Sequence, residues 1–260
     1  MKRMRCATAL LLAVCLTVLP LSAAQPVPVS AESTEETMLR NAEIIINTVN
    51  DIRVSYGLSE LATTPLLLDV SQIRAEELQT SFDHYRPDGS VCFTALKNAG
   101  IRYTYSAENI AAGRSDPVAT VQQWMASEGH RENILGESYT HIGIGYSYAA
   151  DSTYGYYWCM FLIGTYDGSD PYVYEDQYIP ERELGDANGT KSINASDAAV
   201  ILEYAAATAA GISYPVTAAF SKAADVNTDG NVDAVDASII LSYAATVGSG
   251  EKRELAEFIW

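Results

Sequence analysis

Apolar residues along the chain fall first at helical spacing and later at strand spacing. Over residues 35–57, Ile45, Val49, Ile52 and Tyr56 share one helical face, and Gly57 ends the run. A second helix is predicted over Leu68–Ser81, and a short third over Val91–Ala99 before Gly100. Asp116 is placed to cap a fourth, with Pro117 at its first position and Val118, Val121 and Met125 as its apolar stripe. The period then changes. From His141 to Tyr148 the pattern alternates, with Ile142, Ile144, Tyr146 and Tyr148 on one side and small residues on the other. After the turn-like AADSTYG, the run Tyr156–Ile163 is apolar on both faces, as in a strand covered on two sides. Helices first and an antiparallel pair last predict an α+β domain over residues 36–166.

Residues 167–183 are acidic and rich in Tyr, with Pro171 and Pro180, and read as a short semi-rigid linker. Beyond it lies an internal repeat. DANGTKSINASDAAVILEYAA from Asp186 recurs as DVNTDGNVDAVDASIILSYAA from Asp225, an offset of 39 positions. The paired positions Asp186/Asp225, Asn188/Asn227 and Asp197/Asp236 keep oxygen donors, and Ile201/Ile240, Leu202/Leu241 and Tyr204/Tyr243 are read as recurring helix core. A duplicated loop–helix unit is the result.

The second loop places Asp225, Asn227, Asp229 and Asp236 at positions 1, 3, 5 and 12. Gly230 stands at position 6, the carbonyl of Asn231 at position 7, and Asp233 at position 9, where a water can relay it. Ca²⁺ takes six to eight oxygens, and this spacing wraps them around one point. The alternative is a polar, Asx-turn-rich surface loop without an ion. The first loop keeps Asp186, Asn188 and Asp197, with Ser192 at position 7, but has Thr190 at position 5 and Lys191 at position 6. A neutral hydroxyl replaces a carboxylate, and Lys must take a backbone conformation that Gly adopts without strain. This site is expected to bind Ca²⁺ more weakly.

Composition bears on partners and compartment. Against 33 acidic residues stand 16 basic ones, a net charge of −17, which disfavours nucleic acid and anionic membrane surfaces. MKRMR followed by an apolar run from Ala7 to Leu21 and the small residues Ser22–Ala24 reads as an export signal over residues 1–24. Cleavage is expected after Ala24, or alternatively after Ala31; an uncleaved anchor is the other reading. Cys6 and Cys15 leave with the signal, so Cys92 and Cys159 remain, either as a disulfide or as buried thiols.

The repeat resembles the type I dockerin family over residues 184–250, with 251–260 as a C-terminal tail whose Trp260 folds back towards the linker tyrosines. That resemblance implies folding on calcium and capture of a cohesin module of a scaffoldin. It places partner choice at Ala195 and Ser196, at Ala234 and Val235, and on the helices at Glu203, Tyr204, Ser242 and Tyr243. Since Ser196 and Val235 differ, the two faces are not equivalent.

In the N-terminal domain, His84, Glu108 and His130 can converge on a metal or a proton-transfer site, although their spacing alone does not bring them together. FDHYRPDG, AENIAAG, W-x₅-HRENIL and IGIGY, in that order, resemble the bacterial secreted branch of the CAP (SCP-like) superfamily. The resemblance implies an α-β-α sandwich with a cleft of two His and two Glu, matched here by His84, His130 and Glu108, with zinc as a candidate ion. Ser127 stands where the second Glu is expected, and Glu128 is its neighbour. His141 matches no functional position and is read as a surface residue. The tyrosine-rich strand either lines a groove for sugar or peptide or packs the sheet.

Two functions follow. One is a secreted cellulosome-type component whose calcium-loaded dockerin tethers a CAP module, non-catalytic or metal-binding, with a carbohydrate, lipid or peptide ligand in its cleft. The other is an extracellular hydrolase, peptidase or polysaccharide-directed, using Glu108 with Glu128 or His130 as acid and base. No activated nucleophile is evident at Ser106, Cys92 or Cys159.

Overall fold

A computed structural model describes residues 34–164 and 176–259. The export signal over residues 1–24, its cleavage site, the first part of the linker and Trp260 lie outside the described residues.

Helix α1 spans Thr34–Ser55 and buries Ala42, Ile45, Ile46 and Val49. The expected apolar face stops short of Tyr56, which is 54% exposed, with the Arg131 guanidinium 5.9 Å from its ring centroid. Helix α2 (Pro65–Glu77) starts earlier than its apolar pattern, because the Thr64 hydroxyl accepts from Leu67 N at 3.1 Å and Pro65 presets the first turn. Helix α3 is only Thr94–Asn98. Helix α4 (Pro117–Met125) begins as predicted, with Asp116 accepting from Ala119 N at 2.6 Å. A short helix the pattern did not announce, α5 (Glu128–Ile134), carries His130.

Strands β1 (Tyr105–Ala112), β2 (His141–Tyr148) and β3 (Tyr156–Gly164) form one antiparallel sheet in the order β1-β3-β2. The expected pair is present, but β1 joins it on the far edge, inserted between α3 and α4 in the chain. It escapes the pattern because both of its faces are covered and its residues are mostly small. Ala107 and Ala111 share one core with Ile142, Ile144, Trp158, Met160 and Leu162, against α1 and α4. On the opposite face Ile110, Tyr157, Cys159, Phe161 and Ile163 pack on Leu67, Val70 and Leu96 of α2 and α3. This is an α-β-α sandwich, held by burial of whole side chains such as Trp158 and Phe161, each contributing about 2–3 kcal/mol. The small residues on β2 have a steric reason: a β-carbon on Gly143 would fall 2.6 Å from the Leu67 carbonyl oxygen, so α2 lies directly on the strand.

The C-terminal module comprises α6 (Ala195–Ala209), α7 (Ala218–Ala224), α8 (Ala234–Gly248) and a final 3-10 turn, Leu255–Phe258. Its core joins Ala187, Ile201, Phe220, Val226 and Ile240, with Leu255 and Phe258 of the tail packed against it. Ile201 and Ile240 are buried as expected, whereas Leu202 and Leu241, read with them as core, are 42% and 44% exposed. The tail packs on α8, where Phe258 meets Tyr243 edge-on at 5.8 Å; the expected contact of Trp260 with the linker tyrosines lies outside the described residues.

Residues 176–183 run along the first domain. Thr63 and Tyr178 exchange backbone hydrogen bonds of 2.8 and 2.9 Å. Arg182, its side chain fully buried, donates from Nη2 to both Asp51 oxygens at 2.6 Å. His141 belongs to this seam, in contrast to its surface reading. It is buried on β2, with Nδ1 2.8 Å from Thr140 Oγ1 and Nε2 2.9 Å from Gln177 Oε1. Burial holds its pKa below the ordinary histidine value.

Candidate calcium loops and histidine cleft

In the second loop the side-chain oxygens are oriented by backbone N–H groups. Asp225 accepts from Asp229 N at 3.1 Å and from Gly230 N at 3.0 Å. Asn227 Oδ1 accepts from Asp229 N at 3.0 Å, and Asp229 Oδ1 from Asn231 N at 2.8 Å. At position 12 the buried Asp236 accepts from Val226 N, Asn227 N and Asp233 N at 2.8, 3.2 and 2.9 Å, closing a capping box with Asp233 on α8. Two left-handed residues, Thr228 (φ 57°) and Gly230 (φ 89°), turn the chain.

The first loop repeats this network. Asp186 accepts from Thr190 N at 2.9 Å and Lys191 N at 3.0 Å, and Asp197 from Asn188 N at 3.1 Å and Asn194 N at 2.8 Å. Here the left-handed residues are Gly189 (φ 70°) and Lys191 (φ 61°), so Lys191 does adopt the conformation that glycine would take more easily. The Ser192 carbonyl at position 7 already accepts from Asn194 Nδ2 at 3.0 Å. Asp197 is raised from the ordinary carboxyl value, chiefly by burial and also by the charge of Asp186. A divalent ion would relieve both.

These donor sets fit Ca²⁺. They are all oxygen, and in the second loop the carboxylates at positions 1 and 12 are met by backbone N–H groups.

The expected partner-contact residues divide in two. Ala195, Ser196, Glu203, Ala234, Val235 and Ser242 are exposed, together with Leu202 and Leu241. Tyr204 and Tyr243 are half-buried beneath other rings, Tyr204 at 5.5 Å from Phe220 and Tyr243 at 5.8 Å from Phe258.

In the sandwich, Glu108 and Asn109 are adjacent on β1 and point to opposite faces. Asn109 Nδ2 donates to the His130 carbonyl at 2.9 Å, and its Oδ1 accepts from Asn133 Nδ2 at 2.8 Å. The pair clamps α5 against the sheet, and the buried Arg53 secures the end of that helix by donating to the Ile134 and Gly136 carbonyls at 2.7 and 2.9 Å. Glu108 is 5% exposed, and besides the Cys159 thiol, which donates to Oε1 at 3.8 Å, two side chains engage it. His84 Nδ1 is 2.7 Å from its Oε2, and Arg74 Nε is 2.9 Å from its Oε1, an ionic contact without the alignment of a hydrogen bond. Arg74 is itself buried and also donates to the Asp83 carbonyl.

The Glu108 hydrogen bond raises the pKa of His84 above the ordinary histidine value, whereas burial, with some repulsion from His84, lowers that of His130. His84 and His130 are therefore electrostatic neighbours. Among the described residues, donor atoms lying within 4.8 Å of one another are those of His84, Cys92 and Glu108; His130 is not in that group. Cys92 and Cys159 are free buried thiols. Burial pushes Cys92 up to about 12 and Cys159 well above its usual value, which makes both inert at neutral pH. Glu128 lies elsewhere, on an exposed hollow shared with Met125, Arg131 and Leu135.

Arg74 had no role in the sequence reading, Cys92 entered it only as a disulfide partner or buried thiol, and Asn109 and Asn133 only within the motifs AENIAAG and HRENIL. A lone Arg in a helix and a lone Cys carry no local signal of this contact, and only packing on one face of the sheet brings them to Glu108. For the tyrosine-rich strand, Tyr146 packs on Trp158 at 4.6 Å, and Tyr148 lies 4.8 Å from Tyr156 at the sheet edge.

Comparison with known proteins places these features in families. Residues 46–161 match the model of the cysteine-rich secretory protein family, CAP, and residues 184–243 match the dockerin type I domain. The uncharacterized protein YkwD of Bacillus subtilis (strain 168) is 34% identical over 131 residues, covering 47% of this chain and 51% of its own length. The uncharacterized membrane protein YlbC of the same organism is 29% identical over 123 residues, covering 46% of this chain and 36% of its own. The chain thus spans about half the length, or less, of the curated relatives it matches. A crystal structure of an extracellular protein containing a SCP domain from Bacillus anthracis str. Ames aligns at 28% identity and a TM-score of 0.45, over 51% of this chain and 44% of that one.

Proposed function

We propose, for a chain that carries a CAP domain followed by a type I dockerin domain, a part in an extracellular assembly: the dockerin, loaded with Ca²⁺, binds a cohesin module of a scaffoldin and displays the CAP domain on it. The observation that carries this reading is the second loop, whose oxygens at positions 1, 3, 5 and 12 are oriented by backbone N–H groups while the helix after it is capped by the same Asp236. Asp225, Asn227, Asp229, the Asn231 carbonyl and Asp236 would hold the ion, with Asp186, Asn188, Thr190, Ser192 and Asp197 as the weaker set. Bound Ca²⁺ supplies the positive charge that lets these oxygens sit together, and Asp236 transmits the order to α8. Among the described residues no helix is long and apolar enough to cross a membrane.

The CAP module is read as a non-catalytic display domain. The pairing of Glu108 with Glu128 as acid and base finds no support, since Glu108 is engaged by a guanidinium and an imidazole and Glu128 lines an exposed hollow with Met125, Arg131 and Leu135. The donor types of His84, Cys92 and Glu108 suit Zn²⁺, but the fit is poor: Arg74 already supplies the cation at Glu108, and a metal would have to share that carboxylate with it.

The test is capture of the full chain by cohesin-bearing scaffold proteins, with Ca²⁺ and with chelator. Capture that needs Ca²⁺ is expected, and a chain that binds equally well after chelation refutes the reading.

A further inference from the structure

The two calcium loops depart from each other in opposite ways at positions 4 and 6. The second has Thr228 and Gly230, the first Gly189 and Lys191, and all four are left-handed. Around Gly230 there is open space. Around Gly189 it is tight: a β-carbon would lie 3.0 Å from Arg182 Nε and 3.1 Å from Asn47 Cβ on α1. Lys191 reaches the same helix, its Nζ 2.9 Å from Glu43 Oε2. Arg182 completes the contact, one nitrogen donating to the Ala187 carbonyl within the loop and another to Asp51 on α1. Asp51 also accepts from Thr217 Oγ1, the cap of α7, at 3.3 Å.

Judged as a calcium loop alone, the first copy is degraded. Judged against α1, each departure has a use. Glycine sits where Arg182 and the helix leave little room for a side chain, and the residue that takes the strain is the one whose ammonium finds a carboxylate across the interface. We propose that the first calcium loop is the joint by which the C-terminal module seats on α1 of the N-terminal domain, and that Ca²⁺ binding at this loop and seating are coupled. The Ala187 carbonyl held by Arg182 lies between ligand positions 1 and 3, so ordering the loop around an ion presents that carbonyl to Arg182. By linkage, seating raises the calcium affinity of the first loop by the same factor that Ca²⁺ favours seating. The second loop, with no contact at Gly230, stays outside this coupling. The proposal rests on the calcium reading of the loops and is independent of cohesin recognition.

The experiment uses the full chain and its Glu43→Gln and Lys191→Gly variants. Calcium titration by calorimetry is paired with hydrogen exchange of α1 in Ca²⁺ and in chelator. For the parent chain, Ca²⁺ is expected to slow exchange over residues 41–55. Glu43→Gln, which leaves the loop itself intact, is expected to weaken only the weaker site, by about fivefold or more, and to reduce the calcium-dependent protection of α1. Lys191→Gly separates the two views: a merely degraded loop would gain affinity with α1 exchange unchanged, whereas a joint loses α1 protection. Calcium uptake at both sites with α1 exchange indifferent to Ca²⁺ overturns this proposal alone. No calcium uptake by any of the chains overturns the loop reading and the proposal together.

Discussion

The cleft of the first domain and the second loop of the other both gather carboxylates, but they neutralise them differently. In the cleft, Glu108 is buried, and a guanidinium and an imidazole already lie within 3 Å of its oxygens, Arg74 at 2.9 Å and His84 at 2.7 Å. In the loop, among the described residues, Asp225 and Asp236 are met by backbone N–H groups, which orient the oxygens without cancelling their charge. A buried carboxylate with an internal counter-ion is a closed structural element. A ring of oriented oxygens without one calls for an external cation. The difference teaches that counting acidic residues is a poor guide to metal sites; what matters is whether a cation of the protein has arrived first.

The largest effect that can sharpen this comparison is calcium removal. At a thousandfold excess over its dissociation constant, a ligand bound only by the folded state stabilises it by about 4 kcal/mol. Chelation is therefore expected to melt the C-terminal helices well before the sandwich, giving two transitions by circular dichroism where the loaded chain shows them closer together. A C-terminal module whose melting ignores chelator would break the comparison on the loop side.

Next in size is Glu108→Ala. It removes one of the two carboxylates at the buried Arg74, whose Nη1 keeps Glu77 Oε2 at 3.6 Å, so the cost is expected at the low end for such truncations, about 3 kcal/mol. Thermal denaturation is expected to show that loss with no change in bound metal. A variant of unchanged stability that loses a bound transition metal would instead place a metal at Glu108.

The smallest effect is in the histidines, read by NMR titration. His84 is raised by its bond to Glu108, so its contribution to stability is fully present below the unfolded histidine pKa and is lost as pH rises through the raised folded value. His130 is lowered by burial, so its contribution is present above the unfolded value and lost as pH falls through the folded one. His84 is thus expected to titrate above His130, and Glu108→Gln to bring the two closer. The reverse order would show that the Glu108 contact does not hold His84.

Much of the fold was legible from local signals. The Asp116–Pro117 helix start, the alternation on β2, the doubly apolar β3 and the loop–helix duplication all depend on neighbours in sequence, so their pattern survives in the chain itself. β1 was not legible: with both faces covered and its own residues mostly small, it has no alternation to read. Arg74 at Glu108 was equally invisible, because α2 meets β1 only through packing on the same sheet face. Leu202 and Leu241 carry the same apolar signal as buried Ile201 and Ile240, and a step of one residue round the helix turns them outward.

By itself the sequence determined the donor spacing of the calcium loops and the order of the two domains, since both are properties of short contiguous stretches. Tertiary structure alone decided which carboxylate keeps a free charge, which tyrosine is exposed and which loop presses on α1. Those outcomes depend on groups far apart in the chain, such as Arg182 and Asp51 or Lys191 and Glu43, and no local pattern encodes the desolvation and contact that pair them.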